Sequence, residues 1–282
     1  CILIMMKRLF IVGIILWSAC SLFANEQDSI KVEKWLKEAV GLPQDSCRTL
    51  HFAKKMLGVP YVAATLDGNE EEQLVVHVDR LDCTTFVETV LALCIADKRG
   101  VGNFDGFKKA LTDVRYRNGV LDGYASRLHY FSDWIRNNEQ MGFVKECTSE
   151  TLCAQPQELW LNFMTTHVDS YQPMKKDPSL VEVMAAQEKK WQGTVVSYIP
   201  KEKLNLPPEE LKIKDGDILA MVTNIKGLDI VHVGFAFWKD NHLHLLHASS
   251  SAKKVIEDPK TQYESLGKTK AHIGLRAIRV VY

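Results

Sequence analysis

The C-terminal third of the chain constrains the fold most. From Thr194 onward, short runs rich in β-branched and aromatic residues follow one another: "TVVSYI", "GDILAMV", "DIVHVGFAFW", "HLHLLHAS" and "IGLRAIRVV". Turn signals such as "DG" and "DN" separate several of them, so they read as the strands of an antiparallel sheet. The region before them is mainly helical. Ser29–Val40 and Ser46–Leu57 carry helical spacing and stop near Gly41 and Gly58. After the strand-like, alternating "EQLVVHV", Asp82 is a good N-cap for a helix that puts Cys83, Phe86, Val87, Val90, Leu91 and Cys94 on one face. Asn103–Arg115 and Ser126–Gln140 predict two amphipathic helices, "LWLNFM" a strand, and "DPSLVEVMAAQEKKWQ" another helix. Helices first and sheet second predict an α+β fold rather than a doubly wound one. With no repeat, low-complexity tract or Ser/Gly-rich linker, the simplest organisation is one domain over 25–282, with an inserted helical region at about 100–192.

Composition supports a folded domain. The 282 residues are 46% hydrophobic and 25% charged, enough for a large core and unlike a disordered chain or a membrane bundle. Formal net charge is zero and there is no long basic run, which leaves a nucleic-acid partner without electrostatic support. Residues 1–24 read differently. "MKRLFIVGIILWSACSLFA" has a basic Lys7–Arg8 start, an apolar core from Leu9 to Trp17 and small residues near Ala24. The expectation is a secretory signal beginning at Met6, its apolar run being short for a membrane span. A retained anchor is one alternative; lipidation at Cys20 is another, which Trp17, three residues earlier, fits poorly.

Cys1 and Cys20 fall in this leader, leaving Cys47, Cys83, Cys94, Cys147 and Cys153. An odd number leaves at least one thiol unpaired in an oxidising compartment. Cys147 and Cys153 are close enough in sequence to bridge a hairpin, and no cysteine pair has the two-residue spacing of a zinc knuckle.

Cys83 could be packing, a disulfide half, a metal ligand or a nucleophile. A helix N-terminus favours a thiolate and offers N–H groups to an oxyanion. A nucleophile also needs a base. Strand alternation puts His232 on a face with Ile230, Gly234, Ala236 and Trp238, opposite Val231, Val233, Phe235 and Phe237. The small neighbours leave room for a helix end beside His232. In "HLHLLHAS", the same parity turns His242 and His244 one way and His247 the other, so a regular strand does not gather all three on one metal. His247 alone could orient the second nitrogen of His232.

In this order, "LDCTTFVE", "GDILA", "HVGFAFW" and "LLHASS" resemble the NlpC-type bacterial cell-wall amidases and peptidases, which have a papain-like fold. With "VRYRNG" and "YASRLHYFSDWI", the chain is similar to the N-acetylmuramoyl-L-alanine amidase-like branch from about Ser46 to Val281. The resemblance implies a papain-like α+β fold and a Cys83 nucleophile, whose own N–H helps hold the oxyanion. It implies His232 as base, His247 as orienting residue, and Tyr61 of "GVPYV" beside the thiolate. It implies hydrolysis of the N-acetylmuramoyl-L-alanine amide in muropeptides, especially 1,6-anhydro forms, during wall turnover, without metal or other cofactor. The leader adds the expectation of an exported, periplasmic protein, and a monomer is expected. Tyr124, Arg127, His129 and Tyr130 become substrate-binding candidates. The alternative within the superfamily is an endopeptidase cutting the stem peptide between D-glutamate and the diamino acid.

Overall fold

The structure is a computed structural model describing residues 26–67 and 69–281; the leader predicted over 1–24 lies outside them. Eight strands form one sheet: β1 (Val144–Glu146), β2 (Gln155–Leu159), β3 (Thr194–Pro200), β4 (Ile218–Thr223), β5 (Ile230–Lys239), β6 (His242–Ser249), β7 (Lys254–Glu257) and β8 (His272–Val280). Their order is β2-β3-β8-β4-β5-β6-β7, with β1 also on β8, and every ladder is antiparallel. The five strands expected after Thr194 are all present. With the helices they make the α+β architecture that the order of elements predicts.

Helices α1 (26–39), α2 (Arg48–Lys55), α3 (Cys83–Lys98), α4 (Phe104–Arg115) and α5 (Phe131–Gln140) precede most of the sheet. The central one is α3. Asp82 caps it as expected, with Oδ1 accepting the Thr85 N–H at 2.8 Å while the Thr85 hydroxyl oxygen accepts the Asp82 N–H at 2.9 Å. It is not amphipathic, however: every residue from Thr85 to Ala96 is buried, because α2, α4, β5 and β6 surround it. Phe86, Val90, Leu91 and Leu93 are fully enclosed, and each such side chain contributes about 1.5–3 kcal/mol on leaving water. Glu88, also enclosed, is balanced by Arg115 of α4 at 2.7 Å. A second apolar cluster, including Leu219, Ala236, Leu245 and Leu275, lies on the other face of the sheet. A third, around Tyr124, Tyr130, Met164 and Trp191, holds the inserted region together.

Several local expectations change. "EQLVVHV" joins no ladder, because side chains satisfy its carbonyls: Arg115 Nη1 donates to Val75 O at 2.6 Å and the Tyr116 hydroxyl to Gln73 O at 3.1 Å. "LWLNFM" is not a strand. β2 ends at Leu159, and the Asn162 and Phe163 N–H groups both donate to Gly227 O, turning the chain into the helix Phe163–Thr166. α5 begins at Phe131 rather than Ser126, since Leu128 N–H bonds Arg115 O and holds that stretch extended. β1 and β7 are strands that periodicity did not reveal. Cys147 and Cys153 form no disulfide: Cys147 Sγ contacts Ala277 O at 3.3 Å and Cys153 Sγ the Thr151 hydroxyl at 3.0 Å. Among the described residues no helix is long and apolar enough to cross a membrane.

Candidate active site

Cys83 is the first residue of α3 and is partly buried. Asp82 takes up the Thr85 N–H, while the Cys83 and Thr84 N–H groups, in the first turn, have no acceptor within the helix. The sulfur faces the backbone N–H of Thr84 and that of Val233, the residue after His232. These donors favour the thiolate, but burial and the Asp82 charge outweigh them and push the thiol up to about 11. The resting group is therefore a thiol, contrary to what the helix end alone suggests. Tyr61 is fixed by a bridge to Leu81 and by its N–H to Lys253 O. Burial, and secondarily the nearby Cys83 and Asp82, raise its phenol.

His232 sits where β5 departs from regular pairing. Met221 pairs His232 but Val222 pairs Ile230, so Val231 is an extra residue. This bulge alters the expected faces: Ile230 packs with Val233 and Phe235 against the α3 side, and Val231 with the opposite cluster. His232 Nε2 lies 2.5 Å from His247 Nδ1, with the rings nearly perpendicular. Burial, and secondarily His247 and His272, hold His232 down at about 3, so it is a neutral imidazole.

The small residue beside His232 has a different use from the one parity suggested. A Cβ on Gly234 would lie 2.8 Å from His247 Cβ, so the missing side chain makes room for His247, while α3 packs on the other face through Phe86 and Phe235. Behind His247, Nε2 is buried without a hydrogen-bond partner, 3.8 Å from Asp258 Oδ2. Sequence reasoning missed Asp258 because it follows β7, itself unforeseen.

Cys83 thus abuts the backbone of the His232–Val233 step, and His232 and His247 share a hydrogen bond. Among the described residues the Cys83 and His232 side chains are not hydrogen-bonded to each other. The other candidates have internal partners. Arg127 is paired with Asp67 at 3.0 Å and Glu72 at 3.5 Å, over the Tyr124 ring. His129 Nε2 bonds Tyr124 O, and burial holds it down at about 3. The Tyr130 hydroxyl donates to Glu188 at 2.6 Å and accepts the Met164 N–H. These interactions build the inserted region. Tyr124 and Arg127 do line a cavity of about 440 Å³, but acidic Asp67, Glu70, Glu71 and Glu72 share it, which disfavours an anionic ligand.

His242 is exposed, but His244, expected from parity to face solvent beside it, is buried, because it stacks on Phe237 and contacts Asp258 O. Asp28, His77 and Asp79 do gather three potential ligand atoms within 4.8 Å. Arg80, a donor only, bonds His77 Nε2 at 3.1 Å, which leaves the ring proton on Nδ1 facing the carboxylates. That tautomer is a hydrogen-bond donor, not a metal ligand.

A family model described as AmiA-like, N-acetylmuramoyl-L-alanine amidase-like, matches residues 51–270. The chain belongs to that family. It is similar to an N-acetylmuramoyl-L-alanine amidase of Bacteroides uniformis ATCC 8492, at 39% identity over 83% of this chain and 98% of that one, with a TM-score of 0.78. It is equally similar in sequence, at 39% identity, to a Bacteroides fragilis protein provisionally named a xylanase, over 82% and 99% of the two chains, with a TM-score of 0.76. A Legionella pneumophila protein of the DUF1460 family model, 24% identical over 93% and 97%, has the same fold at a TM-score of 0.71. No curated protein matches.

Proposed function

We propose that this family member is a cysteine amidase that hydrolyses the bond between N-acetylmuramic acid and L-alanine in small peptidoglycan fragments, 1,6-anhydro-muropeptides among them, and that its fold is the papain-like NlpC type. The observation that carries the chemistry is a helix-capped thiol set against the Val233 backbone, one residue from a His232 that shares a hydrogen bond with His247. His247 engages His232 Nε2, so Nδ1 is the nitrogen left to serve as base.

On substrate binding the two side chains close to hydrogen-bond distance, and the thiol hydrogen passes from Cys83 to His232 Nδ1 as the sulfur attacks the lactyl carbonyl. The N–H groups of the α3 first turn stabilise the oxyanion. Collapse breaks the C–N bond, the leaving L-alanine nitrogen takes the proton from His232, and a thioester remains. Water, losing a proton to Nδ1, cleaves the thioester; the sulfur regains that proton and the muramyl carboxylic acid leaves. All proton transfers run through one nitrogen, and the cycle as written calls for no cofactor. A glycosidase, as the Bacteroides fragilis name suggests, would need two carboxyl groups flanking the scissile bond; the carboxylates tied to this site are Asp82, which caps α3, and Asp258, behind His247. Export directed by the predicted leader would suit a wall-derived substrate.

The test is mass spectrometry of products from an anhydro-muropeptide. Loss of the intact stem peptide from the sugar is expected, abolished in Cys83→Ala with folding retained. Cleavage between D-glutamate and the diamino acid would make the protein an endopeptidase, and full activity of Cys83→Ala would overturn the mechanism.

A further inference from the structure

The geometry points to Asp258 as a positioning residue that sets the tautomer of both active-site histidines through His247. This rests on the Cys83–His232 reading above. A single hydrogen lies between His232 Nε2 and His247 Nδ1, which are 2.5 Å apart. If His232 donates it, His232 Nδ1 is a free lone pair able to take the thiol proton, and His247 carries its own hydrogen on Nε2. If His247 donates it, His232 carries hydrogen on Nδ1 and is useless as a base. The couple alone does not distinguish the two states.

Asp258 does. His247 Nε2 is buried, lacks any hydrogen-bond partner, and has Asp258 Oδ2 3.8 Å away. An N–H there is attracted by the carboxylate; a bare lone pair is repelled. A movement of about 0.9 Å brings the pair to hydrogen-bond distance, removing the cost of a buried orphan. The carboxylate is itself held: Oδ1 accepts the Lys260 N–H at 3.0 Å, while the Asp258 N–H bonds Leu245 O at 2.8 Å and its carbonyl contacts His244 Nδ1. Oδ2 is therefore the oxygen presented to His247. The relay runs from Asp258 to His247 to His232, and its end product is an unprotonated His232 Nδ1.

The arrangement makes an unusual prediction about isosteres. In Asp258→Asn, the side-chain oxygen must stay with the Lys260 N–H, so the amide NH₂ faces His247 Nε2 and selects the unproductive tautomer. Asp258→Ala removes the bias without inverting it. The expected order of kcat on the muropeptide is wild type, then Ala, then Asn, with Asn down by about 10²- to 10⁴-fold, as when an orienting carboxylate is lost from a triad, and KM within about twofold. Long-range ¹⁵N–¹H spectra of the free protein should show hydrogen on His247 Nε2 in wild type and on Nδ1 in the Asn variant. A merely structural role predicts the reverse activity order, because Asn fills the space of Asp. Wild-type His247 carrying hydrogen on Nδ1, or Asn outperforming Ala, overturns the proposal. The spectra need no substrate, so they separate this failure from failure of the amidase reading, which Cys83→Ala tests.

Discussion

Replacing Gly234 by Ala tests whether the space beside β5 exists for His247. The added Cβ would stand 2.8 Å from His247 Cβ, 2.8 Å from Leu246 O and 2.9 Å from Leu245 Cγ. Ordinary contact begins near 3.4 Å, so His247 or the β6 backbone must retreat by about 0.6 Å. Such overpacking costs typically 1–3 kcal/mol, which in a chain of this size lowers Tm by about 2–6 °C. The functional loss should be larger than stability implies. His247 cannot retreat without lengthening its 2.5 Å contact to His232, and misplacement on this scale near reacting groups costs up to about 10²-fold in rate. Differential scanning calorimetry and kcat measured on the same preparation separate the two effects. Gly267→Ala, with nothing within 4 Å of its Cβ, is the control. A Gly234→Ala protein with wild-type kcat would refute the reasoning even if its Tm fell, because the His232–His247 couple would then be dispensable.

Two further outcomes follow from electrostatics. Asp82→Asn keeps an N-cap but removes the charge that helps raise the Cys83 thiol, so alkylation of Cys83 by iodoacetamide at pH 8 should accelerate; an unchanged or slower rate would contradict the assigned cause. The second concerns acid stability. His129 and His232 are held at about 3 against an ordinary 6.5, so the unfolded state binds protons first. Their contribution is complete above pH 6.5 and falls as pH drops towards 3, at about 1.4 kcal/mol per unit for each. Asp28, raised to about 6 by burial and Asp79, works oppositely and loses its contribution as pH rises from 3.8 to 6. Urea unfolding should show a net loss of about 2–3 kcal/mol from pH 7 to pH 5; equal stability at the two pH values would be inconsistent with neutral buried histidines.

The sequence by itself determined the elements and the chemistry-bearing residues that obey short-range rules. The Asp82 cap lies three residues from its N–H partner, the strands after Thr194 alternate on a period of two, and strand parity separated His247 from His242 and His244. Motif order was enough to identify the family. Tertiary structure decided what depends on contacts distant in the chain. The Val231 bulge requires a comparison of two strands and changed the faces assigned to Ile230 and Val231. The space at Gly234 serves β6 rather than α3, which only the pairing of β5 with β6 reveals. Arg127, His129 and Tyr130 became candidates for a ligand through the resemblance alone; that Asp67, Tyr124 and Glu188 hold them in the fold is visible only in the structure. The Cys83 thiol was decided the same way. A helix end favours a thiolate through local dipoles, but burial and a neighbouring carboxylate are stronger, and burial is a property of the packed molecule.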